Sequence, residues 1–353
     1  MATKKGSFIK KVILSVLLLI LIIGAVTGYW AYKMIFQSNV FLGEKKSEFI
    51  YIHTGADFNE VLNALNKEHI LINPASFERL AELKKYTNKI RPGKYRVKAN
   101  VSNNELLNLL RAGMQEPVQL NLNNIRTKQQ LISRVARNLE VDSLAISKYL
   151  NDDHFLSEKY GLRSETALSL FLPNTYEFYW NTSADEFLTR MAKEYKSFWT
   201  DERKAKAKQI GFKQTEVSIL ASIVQAEQSR FNDEKGIITG LYANRLRVGM
   251  PLQSDPTVIY AIGDFNIARV LNKDKEVDSP YNTYKHNGLP PGPIGLPETS
   301  SLDAVLNYQK NDYLYMCAKE DFSGRHNFSK TLEQHNVFAN KYRQALTKLK
   351  IMH

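Results

Sequence analysis

An uninterrupted apolar segment near the N-terminus constrains this chain more than any other feature. Residues 12–32 read VILSVLLLILIIGAVTGYWAY and contain no charged side chain. A helix of about 20 residues spans the roughly 30 Å hydrocarbon core of a bilayer. A cleaved signal peptide usually has an apolar region of only about 7–15 residues followed by a small-residue site, whereas this segment is longer and ends in bulky aromatic residues. The segment therefore predicts a transmembrane helix.

The flanking residues predict its orientation. Lysines at positions 4, 5, 10 and 11 precede the segment, and Tyr29, Trp30 and Tyr32 stand near its end. Positive charge is retained on the cytoplasmic side of a membrane, and tyrosine and tryptophan favour the interface with water. We therefore expect residues 1–11 to be a cytoplasmic tail, residues 12–32 to span the membrane, and the chain from about Lys33 onward to lie outside the cytoplasm.

The remaining sequence predicts an α+β protein of two parts. Residues 33–47 are expected to be a linker, and residues 48–115 a small α+β module in which Asp57 caps one helix, Asn73-Pro74 opens a second and Gly113 ends a third. Residues 116–353 alternate helical and strand patterns and are expected to form a larger α+β domain. The predicted architecture is thus an N-terminal transmembrane helix, a small module and a larger domain.

Composition limits the classes of partner. The formal net charge is +12, which suits nucleic acid, an anionic surface or an acidic polymer, or merely a solvated basic surface. The basic residues are spread along the chain without an arginine-rich block or zinc-finger spacing, so nucleic acid is not indicated. The single cysteine, Cys317, permits neither an internal disulfide nor a Cys-rich metal site.

The helix predicted over residues 215–228, TEVSILASIVQAEQ, carries the candidate catalytic residue. Thr215 is its expected N-cap, and apolar residues on nearly all sides predict burial. Glu227 lies on the same side as Leu220 and Val224, where lost hydration raises the pKa of a carboxyl group. A carboxyl that stays protonated near neutral pH is what glycosidic bond cleavage requires. A structural ion pair at the helix end is the alternative for this residue taken alone.

Two polar, turn-rich stretches downstream predict a substrate groove. They read NRLRVGMPLQSDPTVI (244–259) and SPYNTYKHNGLPPGPIGLP (279–297). Tyrosine rings pack on sugar rings and amides bond hydroxyl groups, although a proline-rich surface loop without function is also possible. The candidate substrate-binding residues are Asn244, Gln253, Ser254, Asp255, Thr257, Tyr281, Asn282 and Tyr284.

Other catalytic signatures do not occur in the sequence. It contains no G-x-S-x-G, H-E-x-x-H, Walker A or G-x-G-x-x-G motif. His326 and His335 lack a third residue at a metal-ligand spacing. Serine hydrolase, zinc protease, nucleotide-binding and metal-binding functions are therefore not indicated.

Four sequence blocks together resemble the endolytic murein transglycosylases, also called the MltG or YceG-like family. The blocks are LASIVQAEQ (220–228), NRLRVGMPLQSDPTVIYAIG (244–263), SPYNTYKHNGLPPGPIGLP (279–297) and HNFS (326–329), behind an N-terminal anchor. The family pattern also covers residues 49–97, which look like a LysM-type fold. Many members have a second glutamate where this chain has Gln225, and often an aspartate where it has Asn174. The catalytic glutamate of the family maps onto Glu227.

The resemblance implies a peptidoglycan lyase. Such enzymes cleave the MurNAc–GlcNAc β-1,4 bond inside nascent glycan strands without using water. One glutamate protonates the leaving oxygen and then helps the C6 hydroxyl of MurNAc attack C1, which leaves a 1,6-anhydro end. The resemblance implies no metal or organic cofactor and a peptidoglycan synthase as partner. It places the protein in the bacterial inner membrane, with the catalytic domain on the periplasmic side.

Two alternatives stay open. A hydrolytic muramidase usually needs a second carboxylate; Asp255 is the nearby candidate, although its Ser-Asp-Pro context suits a turn-forming cap. A non-catalytic glycan-binding scaffold built on the LysM-like module is the other, and Glu227 on its apolar helix argues against it.

Overall fold

The computed structural model describes residues 2–348, with side chains from Phe8 onward. Met1, the side chains of Lys4 and Lys5 in the predicted cytoplasmic tail, and residues 349–353 of the predicted larger domain lie outside the described residues. The chain forms two compact units. The first comprises the chain up to Val118 and Glu177–Thr182, and the second comprises Gln119–Tyr176 and the chain from Ser183 onward. Both contain helices and strands, so the predicted mixture of helix and sheet is confirmed.

The N-terminal helix α1 (Ala2–Phe36) contains the predicted membrane segment. From Phe8 to Phe36 it is long and apolar enough to cross a membrane, and its large apolar side chains are mostly exposed. Met34 and Ile35 in its last turn instead pack against the core of the first unit. The helix is therefore compatible with a single-pass anchor whose C-terminal turn is fixed to the unit that follows.

The first unit places helices beside a two-stranded sheet. Strand β1 (Ser47–Ile52) pairs antiparallel with β2 (Gly93–Lys98), from Ser47 opposite Lys98 to Ile52 opposite Gly93. Its helices are α2 (Phe58–Lys67), α3 (Pro74–Leu83) and α4 (Asn103–Ala112). Asp57 and Asn73 cap α2 and α3, and Gly113 ends α4 with a φ of 68°, so the three local sequence signals are confirmed.

The second unit is mainly helical. The chain changes unit within strands β3 (Val118–Asn121) and β4 (Thr175–Phe178). The antiparallel hairpin β5 (Tyr315–Ala318) and β6 (His326–Ser329) lies wholly within the second unit. Short 3₁₀ turns occur at Ala167–Leu170 and Asp274–Glu276. The helices are α5 (Lys128–Asn138), α6 (Ser143–Leu150), α7 (Asp153–Tyr160), α8 (Ala184–Phe198), α9 (Asp201–Gln209), α10 (Gln214–Glu227), α11 (Asn232–Arg247), α12 (Asp255–Ile262), α13 (Thr299–Leu306) and α14 (Leu332–Lys348).

Helix α10 runs through the core of the second unit, as its all-round apolar pattern predicts. Leu220 and Val224 are fully buried among side chains of α11 and α13. The helix begins one residue earlier than predicted. Thr215 as N-cap is therefore wrong, because Lys213 occupies that position and its backbone N–H donates to Glu216 Oε2 (2.7 Å). The C-terminal end of this buried helix carries Glu227.

Candidate active site

Two hydroxyl groups hold the Glu227 carboxylate where α10 ends. The Tyr242 hydroxyl, from α11, donates to Glu227 Oε1 at 2.9 Å. The Ser254 hydroxyl, at the start of α12, donates to the same oxygen. Glu227 itself is half-buried. Side chains from α11 and from the N-cap of α12 thus bond to one oxygen, Oε1, of a carboxylate that lines a cavity.

The environment of Glu227 raises the pKa of its carboxyl group. Burial is the main cause, and the negative charge of Asp255 adds to it. Hydrogen bonds from Ser254 and Tyr242 and the charge of His326 act in the opposite direction but are outweighed. Glu227 therefore keeps its proton to a higher pH than an ordinary glutamate, as a general acid near neutral pH must.

A cavity of about 260 Å³ opens beside Glu227. Besides Glu227, residues of α11, of the chain leading into α12 and of the hairpin β5–β6 form its walls. Acidic, basic, aromatic and amide side chains face it together, and such a mixture suits a ligand rich in hydroxyl groups. The lining residues are Glu227, Leu241, Tyr242, Arg245, Leu252, Gln253, Asp255, Tyr284, Met316, Cys317, Ala318 and His326.

The buried guanidinium of Arg245 shapes the turn that enters the cavity. Its Nη1 donates to the carbonyl of Leu252 (2.7 Å) and more weakly to that of Pro251 (3.3 Å), and its Nε donates to the carbonyl of Leu314 (2.6 Å). Gln253, which follows Leu252, adopts a φ of +52°, a value that residues other than glycine rarely take. Such a conformation persists only where its surroundings enforce it. Arg245 and the backbone bond from Gln253 N to Thr283 O (3.0 Å) supply that constraint.

Ser254 is positioned by two threonines. Its backbone N–H donates to Thr283 Oγ1 (3.0 Å), and its carbonyl accepts from Thr257 Oγ1 (2.7 Å). The two threonine hydroxyls also bond to each other (2.8 Å). Thr257 therefore acts on the site through Ser254.

The predicted substrate-binding residues fall into two groups. Gln253, Asp255 and Tyr284 line the cavity with Glu227, and Ser254 bonds to Glu227 directly. Four others lie outside the lining of this cavity, so the structure does not place them where a groove residue was expected: Asn244, Thr257, Tyr281 and Asn282.

These residues outside the cavity serve the backbone or the core. The Asn282 side chain is fully buried, and its amide donates to the carbonyls of Lys275 and Val277 (both 2.8 Å). The Asn244 amide donates to the carbonyl of Asn311 (2.8 Å) and so ties α11 to the chain before β5. Tyr281 packs against Tyr260, with ring centroids 4.7 Å apart.

Asp255 differs from its expected role as a turn cap. It is the first residue of α12, and Ser254 occupies the N-cap position. Its exposed carboxylate accepts a hydrogen bond from the Tyr284 hydroxyl (2.6 Å). A second carboxylate therefore lines the same cavity as Glu227, which keeps the hydrolytic alternative open.

A buried carboxylate orients His326, a residue to which the sequence analysis gave no role. Burial alone would raise the pKa of Glu234, but hydrogen bonds from His326 and Gln228 lower it overall. The ionised Glu234 accepts from His326 Nδ1 (3.0 Å) and from the Gln228 amide (2.8 Å). His326 Nε2 is then the nitrogen available to the cavity. The HNFS block was the sequence signal for this residue.

Tyr242→Phe is expected to move the alkaline limb of the pH profile of kcat/KM to higher pH. The Tyr242 hydroxyl favours the ionised form of Glu227, so removing it raises the pKa of Glu227 further and extends the range in which the acid is protonated. The measurement is kcat/KM against pH. The control is Tyr195→Phe, which removes a hydroxyl from the same core at a residue that packs on Trp199, outside the cavity. An unshifted or lowered limb in Tyr242→Phe would contradict the assigned role of the hydroxyl.

The sequence of this chain matches one family model and several curated proteins. The model of the YceG-like family matches residues 50–341. A protein named endolytic murein transglycosylase from Bacillus subtilis (strain 168) is 42% identical over 171 residues, which is 48% of this chain and 46% of that protein. One of the same name from Streptococcus pneumoniae serotype 2 (strain D39) is 29% identical over 349 residues, which is 88% of this chain and 62% of that protein. The chain thus spans about half to three fifths of the length of these curated relatives.

A solved structure shares the fold. The crystal structure of a yceG-like protein from Listeria monocytogenes superposes with a TM-score of 0.56 at 28% identity, covering 83% of this chain and 99% of that one. The family model extends over the blocks that hold Glu227, Ser254 and His326.

Proposed function

The chain belongs to the YceG-like family, and on that premise we propose that it is an endolytic murein transglycosylase that uses Glu227 as its acid and base. The substrate in this proposal is the MurNAc–GlcNAc β-1,4 bond of peptidoglycan glycan strands. The observation that carries the proposal is a carboxyl group with a raised pKa that lines a polar cavity and is held by two hydroxyl donors. The relatives named endolytic murein transglycosylase support it independently.

The proposed reaction returns Glu227 to its starting state. Glu227 gives its proton to the O4 atom of GlcNAc as the bond from MurNAc C1 to that oxygen breaks. The MurNAc C6 hydroxyl then attacks C1 and passes its proton to the Glu227 carboxylate. The C1–O6 bond closes the 1,6-anhydro ring, and no water is consumed. One group performs both transfers in turn, as general acid–base catalysis permits.

The neighbours of Glu227 have separate parts in this proposal. The hydroxyls of Tyr242 and Ser254 stabilise the carboxylate that exists between the two transfers. The Asp255 carboxylate, held by Tyr284, places negative charge beside the oxocarbenium-like transition state of glycosidic cleavage. Gln253 and the oriented His326 face the same cavity and are available to sugar hydroxyls.

The proposal also covers location and partners. The N-terminal helix anchors the chain in the bacterial inner membrane with its N-terminus in the cytoplasm, so residues after about 33 meet the cell wall on the outer side. Residues 48–115 form the LysM-like module, residues 116–353 form the catalytic domain, and a peptidoglycan synthase supplies nascent strands. The apolar N-terminal helix supports the membrane anchor, and the matching family model and the names of the relatives support peptidoglycan as the substrate.

Removal of residues 1–32 is expected to yield a soluble protein that still cleaves glycan strands. The deletion takes away the exposed apolar side chains but retains Met34 and Ile35, which pack in the first unit. Size-exclusion chromatography without detergent tests solubility, and release of soluble fragments from purified sacculi tests activity. The full chain in detergent is the reference. A folded protein, full-length or truncated, that binds sacculi and releases nothing would favour the non-catalytic scaffold.

A further inference from the structure

A second cavity, of about 420 Å³, lies next to the one that holds Glu227. Consecutive residues face the two spaces: Ala226 lines the second cavity and Glu227 the first, and Pro256 lines the second and Asp255 the first. Its volume falls in the roughly 300–1,000 Å³ range of small-molecule sites. A polymer that passes Glu227 therefore has a built space for a further part of its strand.

Two side chains offer unused hydrogen-bond donors to this space. Arg126 is exposed and is the one charged residue among the described residues that line it; its guanidinium has no ion pair within residues 8–348. The Gln225 amide oxygen accepts from Glu298 N (2.5 Å) and Ser301 Oγ (3.0 Å), and these partners fix which end of the amide is oxygen. Gln225 Nε2 then has no partner among the described residues. The free polar groups are thus N–H donors, which suit an anion or a carbonyl.

Aromatic rings complete the cavity. The Arg126 guanidinium lies 5.0 Å from the centroid of the Phe265 ring. This cation–π contact keeps the positive charge beside the cavity. Phe265 and Tyr260 line the cavity with ring centroids 6.4 Å apart. Aromatic rings bind the apolar faces of sugars. A cationic donor over such rings matches a sugar that carries a carboxylate.

We propose that this cavity is a subsite for a carboxylate-bearing MurNAc unit of the glycan strand and that Arg126 binds its carboxylate. The inference rests on the proposed function and adds to it a preference for strands whose MurNAc units carry a carboxylate. In a strand without peptides the carboxylate is the lactyl group of MurNAc. In a strand with peptides it belongs to the stem attached through that group. Both present the same anion from the same sugar position.

The test compares variants of the full chain in detergent on three substrates. These are peptide-free strands, the same strands with the lactyl carboxyl converted to a neutral methyl ester, and peptide-bearing strands. The variants are Arg126→Gln, which removes the charge, and Arg126→Lys, which keeps the charge but loses the planar fork. Arg137→Gln is the matched control, because Arg137 is exposed on α5 and lines neither cavity. Values of kcat and KM are measured, together with equilibrium binding of strand fragments.

Arg126→Gln is expected to raise KM about tenfold with kcat nearly unchanged, the ordinary weight of one charge-assisted hydrogen bond. The wild type should show a similar loss on esterified strands, and Arg126→Lys should be intermediate. A loss confined to peptide-free strands identifies the lactyl group as the anion, and one confined to peptide-bearing strands identifies the stem.

Two further outcomes separate this inference from the proposed function. If Arg126→Gln matches Arg137→Gln in KM and in binding on every strand, the subsite is overturned while the lyase assignment stands. If the wild type cleaves no strand but its binding still depends on Arg126 and on the free carboxylate, the lyase assignment fails and the subsite is retained.

Discussion

Glu227→Gln is expected to reduce glycan cleavage by about 10²–10⁴-fold, the usual contribution of a positioned acid–base group. The amide oxygen of glutamine can still accept the hydrogen bonds from Tyr242 and Ser254, so the local structure is retained. The amide has no proton of suitable acidity for the glycosidic oxygen. The loss should appear mainly in kcat, measured as the release of new ends from glycan strands.

The matched control is Glu216→Gln, at the opposite end of the same helix, where the side chain accepts from the Lys213 backbone N–H. Glutamine can accept that bond as well, so this variant makes the same glutamate-to-glutamine substitution on α10 at a residue outside the cavity lining. It should keep full activity. Wild-type rates in Glu227→Gln would refute the assigned mechanism.

The stability of Glu227→Gln separates loss of chemistry from loss of fold. The folded state raises the pKa of Glu227 above its unfolded value. Its favourable contribution to stability is therefore fully present below the unfolded pKa and is lost as the pH rises through the folded pKa. Glutamine carries no charge to bury at any pH. The variant should consequently melt at or above the wild-type temperature at neutral and alkaline pH, as measured by circular dichroism.

Arg245→Met is expected to lower the free energy of unfolding by about 3 kcal/mol or more. The side chain is only 7% exposed and satisfies the carbonyls of Leu252, Pro251 and Leu314. Methionine fills similar space but donates no hydrogen bond, and each buried acceptor left unsatisfied costs about 1–3 kcal/mol. Activity should fall as well, because the same bonds hold the turn that places Gln253 and Ser254.

Arg247→Met, on the same helix, is the control for this variant. Arg247 is exposed, and its guanidinium bonds to Asn244 Oδ1 (3.2 Å). Its loss should change stability by less than about 0.5 kcal/mol, as is usual for surface positions. Urea unfolding, followed by the fluorescence of tryptophan and analysed with a common slope, measures both variants. Equal midpoints for Arg245→Met and Arg247→Met would show that the buried guanidinium does not hold the turn.

Much of the fold could be predicted from short stretches of sequence. The caps at Asp57 and Gly113 depend on a few neighbouring residues, and the burial of α10 follows from the spacing of its apolar residues. The position of Glu227 on the same side of that helix as the buried Leu220 and Val224 follows from the same periodicity. What these features share is that each is decided within one or two turns of chain.

The residues that contact Glu227 were harder to predict from the sequence, because packing between distant segments of the chain determines them. Tyr242 lies in a helix whose own pattern does not show which neighbour it meets. Asn282 was taken as a sugar-binding amide, but an amide that bonds backbone carbonyls has the same sequence appearance. His326 reaches the cavity only because β5–β6 folds beside α11, where Glu234 orients it.

The mass of the glycan ends produced by the full chain tests the central claim most directly. Uncrosslinked strands are digested in water enriched in ¹⁸O, and the new MurNAc ends are analysed by mass spectrometry. The proposed transglycosylase predicts 1,6-anhydro ends, lighter than reducing ends by one water and free of ¹⁸O, and about 10²–10⁴-fold slower formation of these ends by Glu227→Gln. Reducing ends that contain ¹⁸O would contradict the account, because they require water as the nucleophile and would favour a muramidase with Asp255 as its second carboxylate.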